Sequence, residues 1–380
     1  MSESSTQPAQ MITDTKALKD VIERLRGEPV VGLDTESNGF HRYPERVCLV
    51  QLASRDENYL VDPLAVADMS PLGSLLADRK VRKVLHSADY DLRCLDREWS
   101  FHFENLYDTS IAAHFAGLDR LGLAAAAERF LGVTLNKDKR LQRADWSLRP
   151  LSKAALEYAA ADTAYLLPLR DAIEKSLASL GRSEWALEES RRMEQIRYVA
   201  PEPPEVAYLS MKGSKALDGR ELAVLRRLVM ARDQEARRLD RPPFRVLGNQ
   251  TLLHLAADPG ADLTQTPGLG APALRRMGNR IRKAIQEGLA DEPVKRPPRP
   301  HPAMPRPTAD DDARLSKLRA WRNERAAELS LDPALIWPMI SLDRLAREPG
   351  SIDRELASGD VRRWQANRFT RSLRPLLAKR

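Results

Sequence analysis

The sequence has few cysteines and no long apolar run, and each absence excludes a class of protein. Its 380 residues include only two cysteines, Cys48 and Cys94, each inside a short apolar segment. Two thiols cannot build a disulfide framework or a structural zinc site, so we expect both to be buried and inert in a reducing compartment. No run of about 18 apolar residues occurs, and the first ten residues lack a basic start followed by an apolar core. These absences predict a soluble, cytoplasmic protein without a membrane partner.

Excess positive charge is missing from the first half of the chain and present in the second. Residues 1–204 contain 27 Lys and Arg against 32 Asp and Glu, whereas residues 205–380 contain 34 against 22. A basic half favours a polyanionic partner such as nucleic acid. The alternative is a solvated charged surface without a ligand, and charge alone does not separate the two.

Apolar patterning predicts a mixed α/β domain at the start of the chain. Short runs rich in Val and Leu at 30–36, 46–53, 58–62 and 81–86 indicate strands. Helical spacing follows at Leu92, Leu95 and Trp99, and again at 121–130 and 151–180, where Pro168 should bend or break the helix just before it. Strands followed by helices are typical of a mixed α/β fold.

Proline-rich segments divide the remainder of the chain. Residues 200–205 (APEPPE) are typical of a domain boundary, and residues 291–309 contain seven prolines, which predicts an extended linker. Apolar stripes at helical spacing on both sides of this linker predict two small all-helical modules. The predicted division is therefore an α/β domain at 1–204, a helical domain at 205–290, the linker at 291–309 and a second helical module at 310–380.

Four carboxylates stand at positions where they could converge. Asp34 and Glu36 are two residues apart in the first predicted strand, so both project from one face and repel each other unless a cation neutralises them. Asp91 lies at the start of the helix after the fourth strand, and we prefer it to Asp89, which suits the turn or the N-cap. Asp162 comes from a later helix.

Tyr158 shares a helical face with Asp162, because the two residues are four positions apart. Two divalent ions held by the four carboxylates would activate water and stabilise the leaving 3′ oxygen of a phosphodiester. Tyr158 would then orient the attacking water, either as general base or as a positioning group. Taken singly, each segment is also compatible with ordinary core or surface residues.

These segments together resemble the three exonuclease motifs of the ribonuclease D family. The resemblance rests on LDTES with Asp34 and Glu36, HSADYDL with Asp91, and EYAAADTAYLLPL with Tyr158 and Asp162. It extends over most of the chain, since that family carries an exonuclease domain followed by two helicase-and-ribonuclease-D C-terminal (HRDC) domains. One departure is the segment after Glu36, which starts with Ser37 where an aromatic residue often follows in the family.

The resemblance implies a ribonuclease H-like exonuclease domain that uses two Mg²⁺ or Mn²⁺ ions to trim RNA from the 3′ end and releases nucleoside 5′-monophosphates. The implied substrates are transfer RNA precursors and other structured small RNAs; protein partners are not indicated. Lys137, Trp146 and Arg149 also resemble the family's pattern, which implies a loop that borders the active site and contacts RNA.

A basic helix in the first helical domain is a second candidate RNA contact. The cluster consists of Arg275, Arg276, Arg280, Arg282 and Lys283. Since Ile281 and Ile285 would face the core, the basic side chains would point outward to phosphates. A solvated helix face without a ligand is the alternative interpretation.

Two other functions use the same residues. A DNA 3′–5′ exonuclease would need the same carboxylates, because such a site contacts phosphate and not the sugar. A non-catalytic nucleic-acid-binding adaptor would have no need to retain all four carboxylates and Tyr158, which argues against it.

Overall fold

A six-stranded sheet is the centre of the first half of the chain. The computed structural model describes residues 9–135, 138–297 and 306–378. The strands are β1 (Gln10–Ile12), β2 (Val30–Ser37), β3 (Val47–Ala53), β4 (Asn58–Val61), β5 (Arg82–Leu85) and β6 (Leu106–Asp108). Their order is β1-β4-β3-β2-β5-β6; β3 is antiparallel to both neighbours, and the other pairs are parallel. The four predicted strands are present, whereas β1 and β6 were not predicted.

Nine helices accompany this sheet in the described residues. They are α1 (Thr15–Leu25), α2 (Ser70–Leu76), α3 (Asp89–Trp99), α4 (Thr109–Phe115), α5 (Leu123–Leu131), α6 (Lys139–Gln142), α7 (Lys153–Ala164), α8 (Leu166–Leu180) and α9 (Ser183–Met193). The predicted break before Pro168 is confirmed, because α7 and α8 are separated at Tyr165 and the proline lies in the first turn of α8, where its missing N–H has no intrahelical partner to lose.

Helices cover both faces of the sheet. On one face Leu33 of β2 packs in a cluster with Leu18 of α1 and Leu92 of α3. On the other face Val30 packs with Leu166 of α8. Burial of both faces explains why the strands appear in the sequence as nearly continuous Val and Leu runs. The mixed α/β class is confirmed.

Two helical modules follow, and the longest helix of each begins in the same way. The first contains α10 (Pro204–Ala207), α11 (Gly219–Leu239), α12 (Pro243–Val246), α13 (Asn249–Ala257) and α14 (Ala271–Ala290); the second contains α15 (Ala309–Leu329), α16 (Pro333–Ile336), α17 (Met339–Arg347), α18 (Ile352–Ala357) and α19 (Arg363–Leu377). Both α11 and α15 have 21 residues and start with a capping box, formed by Asp218 and Thr308 respectively. Each is followed by a four-residue helix that begins with proline. The domain bounds themselves stay a prediction, and part of the predicted linker lies outside the described residues.

The second helical module shares a core with the α/β domain. Trp337 and Phe369 belong to the same buried cluster as Phe115 of α4 and Ile173 of α8. Arg182 reinforces this contact by donating hydrogen bonds to the carbonyl oxygens of Phe115 and Leu329, at 2.9 and 2.5 Å. The first module has a buried cluster of its own. Among the described helices, none combines the length and apolarity needed to cross a membrane.

Gly288 is required for the close packing of α11 on α14. A Cβ atom at this position would lie 2.4 Å from the Cα of Val224. We expect Gly288→Ala to destabilise the first helical module by about 1–3 kcal/mol, because the backbone clash outweighs the better helix propensity of alanine. Urea unfolding of the full chain measures the change. Gly350→Ala is the matched control, since a Cβ there meets nothing within 4 Å; equal stability of the two variants would contradict the prediction.

Candidate active site

Strand β2 places two carboxylates on one face of the sheet. Asp34 and Glu36 are separated by one residue, and side chains alternate along a strand. Gly32, on the same face, lies against Leu166 of α8. The register with β3 shifts directly after Glu36. The two carboxylates therefore project from the face of the sheet that α7 and α8 cover. They lie where the regular pairing of β2 with β3 ends.

Helix α7 brings a third carboxylate to the same place. The side-chain amide of Asn58 in β4 donates a hydrogen bond to the carbonyl oxygen of buried Ala160 at 2.7 Å, which holds α7 close to the sheet. One carboxylate oxygen from each of Asp34, Glu36 and Asp162 lies within 4.8 Å of the others. Clustered carboxylate oxygens are the donors that a hard divalent cation prefers.

Asp91 enters from α3 on the opposite side. It is buried at 6% exposure, and its carboxylate accepts a hydrogen bond from the hydroxyl of Thr35. It lines the same cavity of about 580 Å³ as the other three carboxylates and Tyr158, although it is not part of the 4.8 Å cluster. Asp89, the competing residue, is exposed and forms an ion pair with Arg93 at 2.9 Å. The structure thus places Asp91, and not Asp89, with the other carboxylates.

Burial raises the pKa of all four carboxyl groups. Burial and then the charge of Asp34 raise the pKa of Glu36 to about 10. Burial also raises the pKa of Asp91 to about 7 and that of Asp162 to about 6. For Asp34 burial, followed by the charges of Asp91 and Asp162, raises the pKa well above its usual range. Full ionisation of this cluster needs a compensating cation, and an all-oxygen donor set fits Mg²⁺ or Mn²⁺.

Tyr158 lies beside Asp162, one helical turn earlier. Burial and then the charge of Asp162 raise the pKa of the Tyr158 hydroxyl, and a hydrogen bond joins the two side chains. The hydroxyl is therefore protonated at neutral pH and serves as a donor. Its ring packs on Trp146, with centroids 6.2 Å apart. Its place beside Asp162 fits either a group that orients water or a general base.

The loop residues taken from the resemblance have different surroundings. Trp146 is 1% exposed and packs in the core, so it supports Tyr158 and offers no surface to RNA, contrary to expectation. Arg149 forms an ion pair with Asp62 at 2.6 Å and donates to the carbonyl oxygen of Cys48 at 2.8 Å, which ties this loop to the sheet and commits its guanidinium to the protein itself. Lys137 lies outside the described residues.

Other residues of that loop do line the cavity and were missed. They are Leu135, Asp138, Lys139 and Gln142. The basic residues around Lys139 could have indicated a contact with phosphate. The sequence did not indicate which of these side chains would face the carboxylates. His86, which follows β5, donates from Nε2 to the carbonyl oxygen of Leu121 at 2.7 Å, and its Nδ1 lies 2.9 Å from the hydroxyl oxygen of Thr109.

The predicted basic helix is α14, which does not line the carboxylate cavity. Arg275, Arg280, Arg282 and Lys283 are exposed, and Arg276 is half-buried. Arg280 lies 3.5 Å from Glu235 and Lys283 lies 3.8 Å from Glu287, so two of the five cations have acidic neighbours. Contact of this cluster with RNA stays a prediction.

The segment after Glu36 connects the α/β domain to the first helical module through side-chain contacts. Arg42 forms ion pairs with Asp145 at 3.1 Å and with Asp240 of the first module at 3.2 Å. The hydroxyl of Tyr43 donates to Asp233 of α11 at 2.5 Å. The departure from the family's pattern noted in the sequence thus coincides with an interdomain contact.

A cleft of about 850 Å³ opens between this segment and the first module. It shares Thr35, Glu36, Tyr90 and Gln142 with the carboxylate cavity, so the two spaces adjoin. Phe40 and Phe244 line it with exposures of 53% and 58%. The hydroxyl of half-exposed Tyr90 is fixed by Ser37 and Glu45. Aromatic faces beside the carboxylate cavity are of the kind on which bases stack.

The sequence matches two domain families. Residues 9–178 match the model of a 3′–5′ exonuclease, and residues 221–285 match that of the HRDC domain. Ribonuclease D of Gluconacetobacter diazotrophicus is 33% identical over 353 residues, which cover 89% of this chain and 86% of that protein. Ribonuclease D of Escherichia coli K12 is 36% identical over 232 residues, 61% of each chain.

Solved structures agree in fold. The structure of Escherichia coli RNase D, described as an exoribonuclease involved in structured RNA processing, matches with a TM-score of 0.67 and 26% identity over 98% of this chain and 99% of that one. A protein from Bifidobacterium adolescentis matches with a TM-score of 0.80 over 99% of both chains, and at 24% identity this likeness concerns the fold alone.

Proposed function

The chain belongs to the ribonuclease D family of 3′–5′ exonucleases, and we propose that its carboxylate cavity hydrolyses the 3′-terminal phosphodiester of RNA with two bound divalent ions. The observation that supports this most directly is the convergence of Asp34, Glu36 and Asp162 within 4.8 Å, with Asp91 lining the same cavity. Mg²⁺ or Mn²⁺ are the ions that this all-oxygen site would hold.

The four carboxylates would bind the metal ions, and Tyr158 would orient the attacking water. When bound, the ions would supply an activated water and stabilise the charge on the leaving 3′ oxygen. Asp34, Glu36, Asp91 and Asp162 would hold them, and the Thr35 hydroxyl fixes the orientation of Asp91 by donating a hydrogen bond to its carboxylate. The protonated hydroxyl of Tyr158 orients the attacking water in line with the scissile bond. Nucleoside 5′-monophosphates are the expected products.

We propose that RNA reaches the cavity through the adjoining cleft. Phe40, Tyr90 and Phe244 would stack on the bases that precede the 3′-terminal nucleotide, without preference for sequence. Arg241 and Arg245, exposed on the first helical module near Phe244, would contact the backbone. The likeness to Escherichia coli RNase D, which takes part in structured RNA processing, supports structured RNA as the substrate class, and transfer RNA precursors are our specific proposal.

The experiment is to incubate the purified chain with Mg²⁺ and RNA labelled at either end, with and without a chelator. Stepwise shortening of 5′-labelled RNA and immediate release of label from 3′-labelled RNA are expected, and both should stop when the chelator is added. A DNA oligonucleotide of the same sequence is the comparison. Faster cleavage of DNA would support the DNA exonuclease, and binding of RNA without any hydrolysis would support the adaptor.

A further inference from the structure

A groove lined with arginines lies between the α/β domain and the second helical module, away from the carboxylates. Its volume is about 670 Å³, its walls are α9 and α19, and it shares no residue with the carboxylate cavity. Four arginines line it, two from each helix: Arg191, Arg192, Arg363 and Arg368. All four are exposed.

The two walls are held together rigidly. Trp185 of α9 stacks on Trp364 of α19 with ring centroids 4.5 Å apart and planes inclined by 18°. The carboxylate of Glu188 accepts hydrogen bonds from the backbone N–H groups of Arg363 and Trp364 at 2.7 and 3.1 Å, and so caps the first turn of α19. The groove is therefore a formed feature of the docked module.

The four arginines of the groove outnumber the two acidic residues that line it, Glu184 and Glu188. Glu188 is committed to the backbone of α19, and Glu189 forms an ion pair with Arg362 at 2.7 Å. Within the part of the chain that the structure describes, no ion pair engages the side chains of the four groove arginines. Arg371, exposed one turn after Arg368, extends the same basic surface. Of the lining residues only Glu184 remains as an exposed acid.

Hydrogen bonds tie one wall of the groove to the sheet that carries the carboxylates. Helix α9 runs along edge strand β6, since Ser190 accepts a hydrogen bond from the N–H of Asp108 and Glu194 accepts one from the N–H of Leu106. Strand β6 is two positions from β2 in the sheet, a separation of about 10 Å between strand axes. The groove therefore lies beyond the β6 edge of the sheet that carries Asp34 and Glu36.

We propose that this groove binds the sugar-phosphate backbone of the RNA substrate, upstream of the 3′ end that occupies the carboxylate cavity. Guanidinium groups pair with phosphate oxygens in a bidentate manner and without reading bases, so the groove would hold any RNA long enough to reach it. The inference rests on the proposed exoribonuclease function. It assigns to the second module a role that requires its docking on α9.

The test is a double charge reversal, Arg192→Glu with Arg368→Glu, in the full chain. The matched control is Lys317→Glu with Arg319→Glu on exposed positions of α15 that do not line the groove and that change the net charge equally. Binding of a folded RNA with a 3′ single-stranded tail is measured without metal at several salt concentrations. Cleavage of the same RNA and of a short oligoribonucleotide is measured with Mg²⁺.

We expect the groove variant to bind the folded RNA about tenfold more weakly, with the slope of log affinity against log salt reduced by about 2, one unit for each lost phosphate contact. Cleavage of the short oligoribonucleotide should be unchanged, and the control variant should match the parent. The neutral pair Arg192→Gln with Arg368→Gln should reduce the affinity less; this pair decides the outcome if the charge reversal lowers the melting temperature.

Two results would overturn the proposal. The first is equal affinity for folded RNA in the groove and control variants. The second is loss of binding to polyglutamate with unchanged binding to RNA, which would assign the groove to an acidic protein segment. Failure of the proposed function is a separate result, because the parent chain would then bind RNA but release no nucleotide from either substrate.

Discussion

Asp34→Asn and Asp162→Asn are each expected to abolish RNA hydrolysis, with a loss of about 10³-fold or more. Each change removes a carboxylate from the 4.8 Å cluster, and the stabilisation that bound cations give to a phosphodiester transition state is several kcal/mol. Single-turnover release of nucleotide at saturating Mg²⁺ measures the loss. Asp89→Asn is the matched control, because this exposed carboxylate pairs with Arg93 outside the cavity and should leave activity unchanged.

The same variants should be as stable as the parent, or more stable, when no metal is bound. A carboxyl group whose pKa is raised in the folded state stabilises the fold only while it is protonated, and that stability is lost as pH rises from the unfolded pKa toward the folded one. For Glu36 this window extends from 4.5 to about 10. The metal-free parent should therefore lose stability between mildly acidic and alkaline pH, and Mg²⁺ should restore it. Melting curves across this pH range test the prediction on stability. Activity that survives both substitutions would refute the assignment of Asp34 and Asp162 to the active site.

Tyr158→Phe is expected to lower kcat by about 10²-fold, the size of effect that a misplaced nucleophile produces. Burial and the charge of Asp162 raise the pKa of the Tyr158 hydroxyl, which favours its protonated form in the metal-free site, and we expect the hydroxyl to act by orienting water. Metal affinity, followed by Mn²⁺ titration, should hardly change, since the hydroxyl is not a ligand. If Tyr158 were the general base, its deprotonated form would be the active one, and the substitution would also remove a rise in kcat toward alkaline pH.

Tyr107→Phe provides the comparison for Tyr158→Phe. Both substitutions remove one hydroxyl from a buried or half-buried ring. The hydroxyl of Tyr107, however, is buried and has no hydrogen-bond partner in the described residues, so its removal should leave kcat unchanged and stability the same or greater. An equal loss of kcat in the two variants would reduce Tyr158 to a packing residue.

Part of the carboxylate site could be predicted from the sequence, because the spacing of two residues determines whether their side chains share a face. The two-residue spacing of Asp34 and Glu36 determines a shared strand face, and the four-residue spacing of Tyr158 and Asp162 determines a shared helix face. Convergence of the segments is a property of the fold, and for this the family resemblance was needed. The preference for Asp91 agrees with the cavity that the structure shows.

What could not be predicted depends on contacts between distant segments. Strands β1 and β6 have three residues each, too few for a periodic signal, and exist because they pair with β4 and β5. The burial of Trp146 and the pairing of Arg149 with Asp62 follow from the path of a loop that has no periodicity of its own. The stack of Trp185 on Trp364 joins residues far apart in the chain, and their local sequences contain no signal of it.

The core shared by the α/β domain and the second helical module bears on how the protein is made. A ribosome synthesises Phe115, Ile173 and Trp185 long before Trp364 and Phe369, which cover them in the finished chain. During translation the nascent catalytic half must therefore present an uncovered apolar surface, of the kind that chaperones bind. A chain truncated before α19 would leave this surface uncovered, so the core of the α/β domain is complete only once α19 has been made.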